Sequence, residues 1–143
     1  MSIKVNEYEF PKDLYYSEDH LWVRVLPDGI AVIGIDDFGA KKAGEIEFVE
    51  VSSEVGSHVK KGELLIILES GKWVGRLKSP VSGEIIEINS KVIEEDPTLI
   101  NKDPYGEGWL VKIKLENLDE IKNLIHGEDA IKQWIKKEIE KYG

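Results

Sequence analysis

The side chain best placed to do chemistry is a lysine. Lys72 stands in the run Glu69-Ser70-Gly71-Lys72-Trp73, and the segments on either side of it echo each other. Val55-Gly56-Ser57-His58-Val59-Lys60-Lys61-Gly62-Glu63-Leu64-Leu65 and Lys78-Ser79-Pro80-Val81-Ser82-Gly83-Glu84-Ile85-Ile86 each offer a small polar turn, a glycine, a glutamate and then an aliphatic strand. That arrangement is a quasi-symmetric β sandwich with a lysine at the tip of its central hairpin. A lysine that carries a covalent group must be exposed, held off the body and set on a rigid turn that a modifying enzyme can read. Gly71 and Gly75 permit such a turn, and the flanking strands fix it. The plainer alternative is one surface lysine among many.

Other chemistries find less support. The chain has no cysteine, which removes disulfides, thiolate metal sites and cysteine nucleophiles. His20, His58 and His126 are far apart and show no metal-ligand spacing, so no metal site is expected. The glycine turns at Lys61-Gly62 and Pro104-Tyr105-Gly106 lack the length and helix context of a phosphate loop. No nucleophile elbow is present. Glu94-Glu95-Asp96 reads as a solvated acidic face.

The elements that must position Lys72 are mostly strands. From Tyr15 to Leu115 short strands alternate with turn signals. Leu21, Val23 and Val25 alternate with Trp22 and Arg24, and Pro27-Asp28-Gly29 turns the chain. Ile30 to Ile35 is a short buried run, and Asp36 to Gly44 holds a helical turn that ends at the glycine. Glu45–Val51 resumes as a strand, with Ile46 and Phe48 expected on one face and Glu45 and Glu47 on the other. Further strands fall at Glu63–Glu69, Glu84–Asn89 and Trp109–Leu115. The first fourteen residues read as a loose or edge-pairing lead-in.

After Asn117 the period changes. Asn117 and Glu120 form a capping pair, and Leu118, Ile121, Leu124 and Ile125 share one helix face that Gly127 ends. A second helix from about Glu128 places Ile131, Trp134, Ile135, Ile139 and Tyr142 at helical spacing. Residues 15–115 thus read as a β domain and 116–143 as its helical cap.

Composition narrows the class of partner. A chain of 143 residues is one domain's length and buries a core without staples. With 41% hydrophobic but only 8% aromatic residues, that core is aliphatic. Nineteen basic against 28 acidic residues leave −9 at pH 7, which repels nucleic-acid phosphates and anionic membranes. No apolar run approaches the ~18 residues of a membrane span, and MSIKVNEYEF lacks a secretory apolar region, so a cytoplasmic protein is expected.

Four segments, in order, carry a family resemblance. Tyr16-Ser17-Glu18-Asp19-His20-Leu21-Trp22 is similar to a Tyr-Ser-x-x-His-Glu-Trp motif. Gly34-Ile35 through Gly44-Glu45, then Phe48-Val49, match the helix-turn and strand that follow. Glu69-Ser70-Gly71-Lys72 leads into Pro80-Val81-Ser82-Gly83-Glu84. The run Asp96-Pro97-Thr98-Leu99-Ile100-Asn101-Lys102-Asp103-Pro104-Tyr105-Gly106-Glu107-Gly108-Trp109 matches a long signature almost position by position. The chain resembles the H-protein family of the glycine cleavage system, whose members carry lipoate on one lysine.

The resemblance implies a mainly β fold, a lipoyl/biotinyl-type β sandwich (barrel-sandwich hybrid) with C-terminal helices. It implies that Lys72 carries covalent lipoate and that the protein is a carrier rather than an enzyme. Its partners would be glycine decarboxylase, aminomethyltransferase and lipoamide dehydrogenase proteins, with a lipoate ligase or lipoyl synthase to modify it, and it would act as a monomer. A bound dithiolane would also explain how a chain without cysteine does redox work. A biotin carrier would set methionines beside the lysine, whereas Gly71 and Trp73 stand there and Met1 is the only methionine.

Some positions depart from the family. Its loaded arm folds into a surface cleft where acidic and polar groups hold a cationic amine. Here the first motif has Leu21 in place of Glu, Arg76 replaces an acid four residues after the lysine, Lys42 lies two before Gly44, and Lys78 adds a charge. Trp73 replaces a small residue. If Leu21, Lys42, Arg76 and Lys78 line the arm cleft, the lost acids and added cations suit an anionic cargo, since like charges a few ångströms apart cost roughly 1 to 4 kcal/mol. The alternative expectation is therefore an H-like lipoate-binding protein carrying sulfur intermediates for a heterodisulfide-reductase-like sulfur-oxidising complex.

Overall fold

The computed structural model describes residues 2–142. Its strands are β1 (Ser2–Val5), β2 (Tyr8–Pro11), β3 (Tyr15–Tyr16), β4 (Leu21–Val25), β5 (Ile30–Ile35), β6 (Ile46–Val51), β7 (His58–Val59), β8 (Leu64–Ser70), β9 (Trp73–Lys78), β10 (Gly83–Ile88) and β11 (Val111–Leu115). Its α-helices are α1 (Asp37–Ala43), α2 (Leu99–Lys102) and α3 (Glu128–Tyr142). The fold is mainly β. A six-stranded sheet in the order β3-β4-β5-β11-β10-β7 faces a three-stranded sheet in the order β6-β8-β9, and all the pairings are antiparallel.

The first core lies between these sheets. Leu21, Val23 and Ile33 from one meet Val49, Ile66, Leu68 and Leu77 from the other. Apolar side chains at alternate positions reach this core because the side-chain period of a strand is two. The echoing segments flank Lys72 as a paired unit: β7 pairs with β10 through Val59↔Gly83, and Gly62 N–H donates to the Ser79 carbonyl at 2.9 Å. The quasi-symmetry visible in the sequence is therefore a pairing of its two halves.

A second core covers the back of β4 and β5. Trp22 and Val32 point there, opposite to Leu21 and Val23, and meet Phe10, Tyr16, Ile131 and Ile135. Residues 2–14 are neither loose nor paired to an edge of either larger sheet, since β1 and β2 form a two-stranded sheet of their own. Ile3 and Phe10 are buried across the β1–β2 hairpin, whose Ile3↔Phe10 register puts both on one face against α3. Asn6 turns this hairpin with φ 55°, a backbone region that asparagine tolerates better than most residues.

Three other expectations change. Phe48 is 45% exposed instead of sharing the face of Ile46, because the β6–β8 register shifts between Ile46 and Phe48. A bulge of this kind moves the next side chain to the other face. Residues Leu118–Asn123 form only a 3-10 turn, on which Leu118 is exposed and Ile121 buried. Asn117 does cap that turn by accepting from Asp119 N–H, but Glu120 does not complete a capping box. Its carboxylate instead accepts from Ser82 N–H at 2.7 Å and Ser82 Oγ–H at 2.8 Å.

Candidate functional site

Lys72 occupies the two-residue turn between β8 and β9, where Ser70 pairs with Trp73. It is exposed, as a carrier lysine must be. The turn does not use left-handed backbone at Gly71. What it uses is a glycine elsewhere. Gly44 ends α1 with φ 84°, and its missing Cβ leaves room for the lysine: an added Cβ would stand 3.0 Å from Lys72 Cε. The side chain of Lys72 therefore runs over Gly44 at the junction of α1 and β6.

Beside this junction opens a cleft of about 370 Å³. Ile35, Phe38, Ala43, Leu68, Trp73 and Leu77 form its apolar walls, and Glu18, Asp19, Glu138, His20, Lys42 and Tyr142 supply its polar rim. Three carboxylates stand there with two basic side chains, His20 and Lys42. Lys42 is itself engaged: its ammonium donates to the Tyr142 carbonyl at 3.1 Å, near the negative end of α3. The cleft combines an apolar channel with an acidic rim. That suits an aliphatic chain ending in a cation.

His20 organises the rim. Its backbone is left-handed, with φ 69°, and its ring is stacked between Phe38 and Trp134, each with centroids 4.7 Å away. Nδ1 lies 3.0 Å from Asp36 Oδ2, and Nε2 lies 2.7 Å from Glu138 Oε1. Burial alone would lower the imidazole pKa, but the two carboxylates outweigh it and raise it to about 9. Asp36 is fully buried, which pushes its carboxyl above the usual range despite His20. The same Asp36 caps α1, accepting from Gly39 N–H at 2.8 Å.

The glycine cleavage H-protein model matches residues 14–138. A glycine cleavage system H protein 2 from Aquifex aeolicus is 42% identical over 99% of this chain and 89% of its own. A probable glycine cleavage system H protein from Thermococcus gammatolerans is 46% identical over 88% of this chain and 92% of its own. This chain belongs to the glycine cleavage H-protein family. The crystal structure of the Mycobacterium marinum glycine cleavage system H protein superposes with TM-score 0.77 and 33% identity, covering 87% of this chain and 98% of that one. The two-sheet fold around Lys72 is thus the H-protein sandwich.

The long signature of this H-protein chain, from Asp96 to Trp109, proves to be scaffolding. Asn101 is its centre: its amide donates to the Gly44 carbonyl at 2.8 Å and accepts from Ile46 N–H at 2.9 Å. It pins the backbone over which Lys72 lies. Pro104 accepts from Trp22 Nε1–H at 2.9 Å, and Tyr105 Oη–H donates to the Glu9 carbonyl while accepting from Asp37 N–H. These contacts fix α1 between the sheet and the N-terminal hairpin. Sequence reasoning singled out the run but not these tasks, and it missed the roles of Glu18, Asp19, Asp36, Asn101 and Glu138.

The four cleft candidates do not assemble. Lys42 lines the cleft. Leu21 is fully buried in the first core. Arg76 is exposed on the outer face of β9, since Gly75 and Leu77 are the residues of that strand turned inward. Lys78 borders a separate groove with Lys61 and Ser79, while its N–H donates to Asp19 at 2.9 Å. The expected cationic cluster is therefore absent, because strand parity separates Arg76 from Lys42. The remaining histidines lie elsewhere: His58 pairs with Glu116 at 2.6 Å on the exposed surface, and His126 Nδ1 meets the Leu14 carbonyl at 2.9 Å.

Proposed function

We propose that the protein is a lipoyl carrier of the glycine-cleaving type, with lipoate in amide linkage to Nζ of Lys72. The observation that carries this reading is the placement of Lys72. It is exposed on a hairpin tip, its chain runs over Gly44, and its neighbour Trp73 lines a cleft with apolar walls and an acidic rim. The residues fit such a group: Gly44 leaves the space that a Cβ would fill, and Leu68, Leu77 and Phe38 offer aliphatic and aromatic walls. Bound lipoate supplies a thiol–disulfide couple that the chain lacks.

The chain's own residues provide binding and shelter. The apolar walls exclude water from the stem of an arm drawn into the cleft. Glu18 and Asp19, the rim carboxylates not paired with His20, favour a cationic amine at its end through opposite charge. Acting on such a carrier would be glycine decarboxylase, aminomethyltransferase and lipoamide dehydrogenase proteins, each receiving or returning an aminomethyl group or redox equivalents. The protein then serves as their shared substrate and not as a catalyst. A carrier that visits several partners in turn would work as a cytoplasmic monomer. Among the described residues, no helix is long and apolar enough to cross a membrane. Neither the cleft nor the relatives favour the sulfur-oxidation alternative.

The test is modification followed by transfer. Intact-mass and peptide mapping of protein treated with a lipoate ligase should show one lipoyl group, on Lys72, and none in Lys72→Arg. The lipoylated protein should then accept aminomethyl groups from a glycine decarboxylase. An unmodified Lys72, or a lipoyl group elsewhere, would end the carrier reading.

A further inference from the structure

Trp73 is the one large aromatic residue adjoining Lys72 in sequence, and its ring has an unusual seat. It lies across Gly75, two residues on in the same strand: an added Cβ there would stand 2.1 Å from the indole Cη2 and 2.6 Å from Cζ3. Side chains two apart in a strand share a face, so a glycine here acts as a bay that receives the ring. Gly75 is buried beneath it, yet the indole itself remains 42% exposed. By contrast, Trp22, which fills a core, is fully buried. One side of the Trp73 ring is thus covered by its own strand and the other is open to the cleft.

We propose that Trp73 is a positioning residue, a platform on which the apolar stem of an arm attached at Lys72 rests. The inference rests on the carrier reading. Lys72 runs over Gly44, whose neighbour Ala43 lines the cleft together with Trp73. An acyl chain extended from Nζ into that cleft passes between Ala43 and the indole. Further along, Leu68 and Leu77 continue the apolar wall, and Glu18 and Asp19 take over where a charged end would lie. The cleft therefore has two zones in series. The indole serves the first by removing apolar surface of the arm from water, and a flat rigid ring does this at low cost in side-chain entropy.

The experiment acylates Lys72 with either octanoate or lipoate, confirms the site by mass, and measures acrylamide quenching of tryptophan emission. Trp73 should dominate quenching, because Trp22 is buried and Trp109 and Trp134 are half-buried. Either acyl group should lower the quenching constant by roughly half, since a cleft wall is largely covered when its ligand sits on it. Trp73→Phe should show no such difference between free and acylated protein. In Gly75→Ala the new Cβ displaces the ring, and the protection by either acyl group should disappear. Protection that survives this substitution, or quenching unchanged by acylation of Lys72, would overturn the inference alone. Failure of the ligase to acylate Lys72 would instead overturn the carrier reading, and this inference with it.

Discussion

His20 and Glu138 lie 118 residues apart in the chain and meet at 2.7 Å, imidazole Nε2 to carboxylate Oε1. Because Nδ1 of the same ring reaches Asp36, one protonated imidazole joins the N-cap of α1 to the C-terminal half of α3. Those helices form two sides of the cleft. Its shape therefore depends on an ion triad that is held at a left-handed backbone position and stacked between two aromatic rings.

The triad makes stability depend on alkaline pH. The fold raises the His20 pKa from 6.5 to about 9, so it favours the protonated ring. That contribution is fully present below pH 6.5 and is lost as pH rises through about 9. Its size is on the order of 3 kcal/mol at a buried site. Urea denaturation at a series of pH values should show this decline in the wild type and a flatter profile in His20→Gln. A wild-type profile that rises over the same window would contradict the assignment.

The outer position of Arg76 predicts that Arg76→Asp leaves aminomethyl transfer within about fivefold of wild type, as an exposed charge contributes about 0 to 1 kcal/mol. Leu21→Glu should do something quite different. Leu21 is buried in the first core, so a carboxylate there is deprived of water and partners, and the cost should reach about 3 kcal/mol or more. Thermal unfolding and single-turnover transfer, measured on each variant, separate the two effects.

Removing the rim charges should shorten the life of the loaded carrier. Glu18→Gln with Asp19→Asn keeps the shape of the rim, and the amide oxygen introduced by the second change can still accept from the Lys78 N–H that Asp19 now binds. A partly exposed charge pair contributes about 1 kcal/mol, so the loaded form should release its amine roughly fivefold faster in buffer. Ammonia or formaldehyde release, followed over time, reads this out; equal rates would show that the acids do not hold the cargo.

Asn101→Ala should cost about 2 kcal/mol, because it leaves the Gly44 carbonyl and Ile46 N–H without their partner. It should also slow lipoylation, since the backbone beneath Lys72 is no longer pinned. Denaturant unfolding gives the first quantity and the initial rate of a ligase reaction the second. A slowed rate at unchanged stability would show that positioning matters more than folding.

Phe10→Ala tests the N-terminal hairpin. The ring is fully buried, edge-on to Tyr16 and Trp134. Its loss should destabilise by about 3 kcal/mol or more through the cavity it leaves. Amide exchange should then rise first in α3, whose apolar face packs on that hairpin.

Much of this molecule is legible from short-range pattern. Alternation in 21–25 and 111–115 marks strands, Asp36 and Gly44 bound a helix, and Lys72 stands out by its flanks. The alternation of Ile3 with Val5 and of Tyr8 with Phe10 is equally plain, but such short strands carry too little signal to reveal which surface they cover. Parity is the weak point. A strand's period tells which side chains go together and not which face is inward; that depends on register with a partner strand. So one bulge puts Phe48 on the face opposite to the one its spacing suggests, and β9 turns Arg76 away from the cleft that its place after Lys72 suggests.

The order of residues alone determined the family, the lysine to be tested as carrier and the absence of any thiol chemistry in the chain itself. These are properties of residue type and local spacing. Tertiary structure decided the rest: that Lys72 lies over Gly44, that Asn101 holds that turn, that His20 joins Asp36 to Glu138, and that the cleft is acidic. Each of those facts brings together groups 16 to 118 residues apart. Contacts at such separations are set by how two sheets and three helices pack, and packing selects partners by shape and charge that no local window of sequence contains.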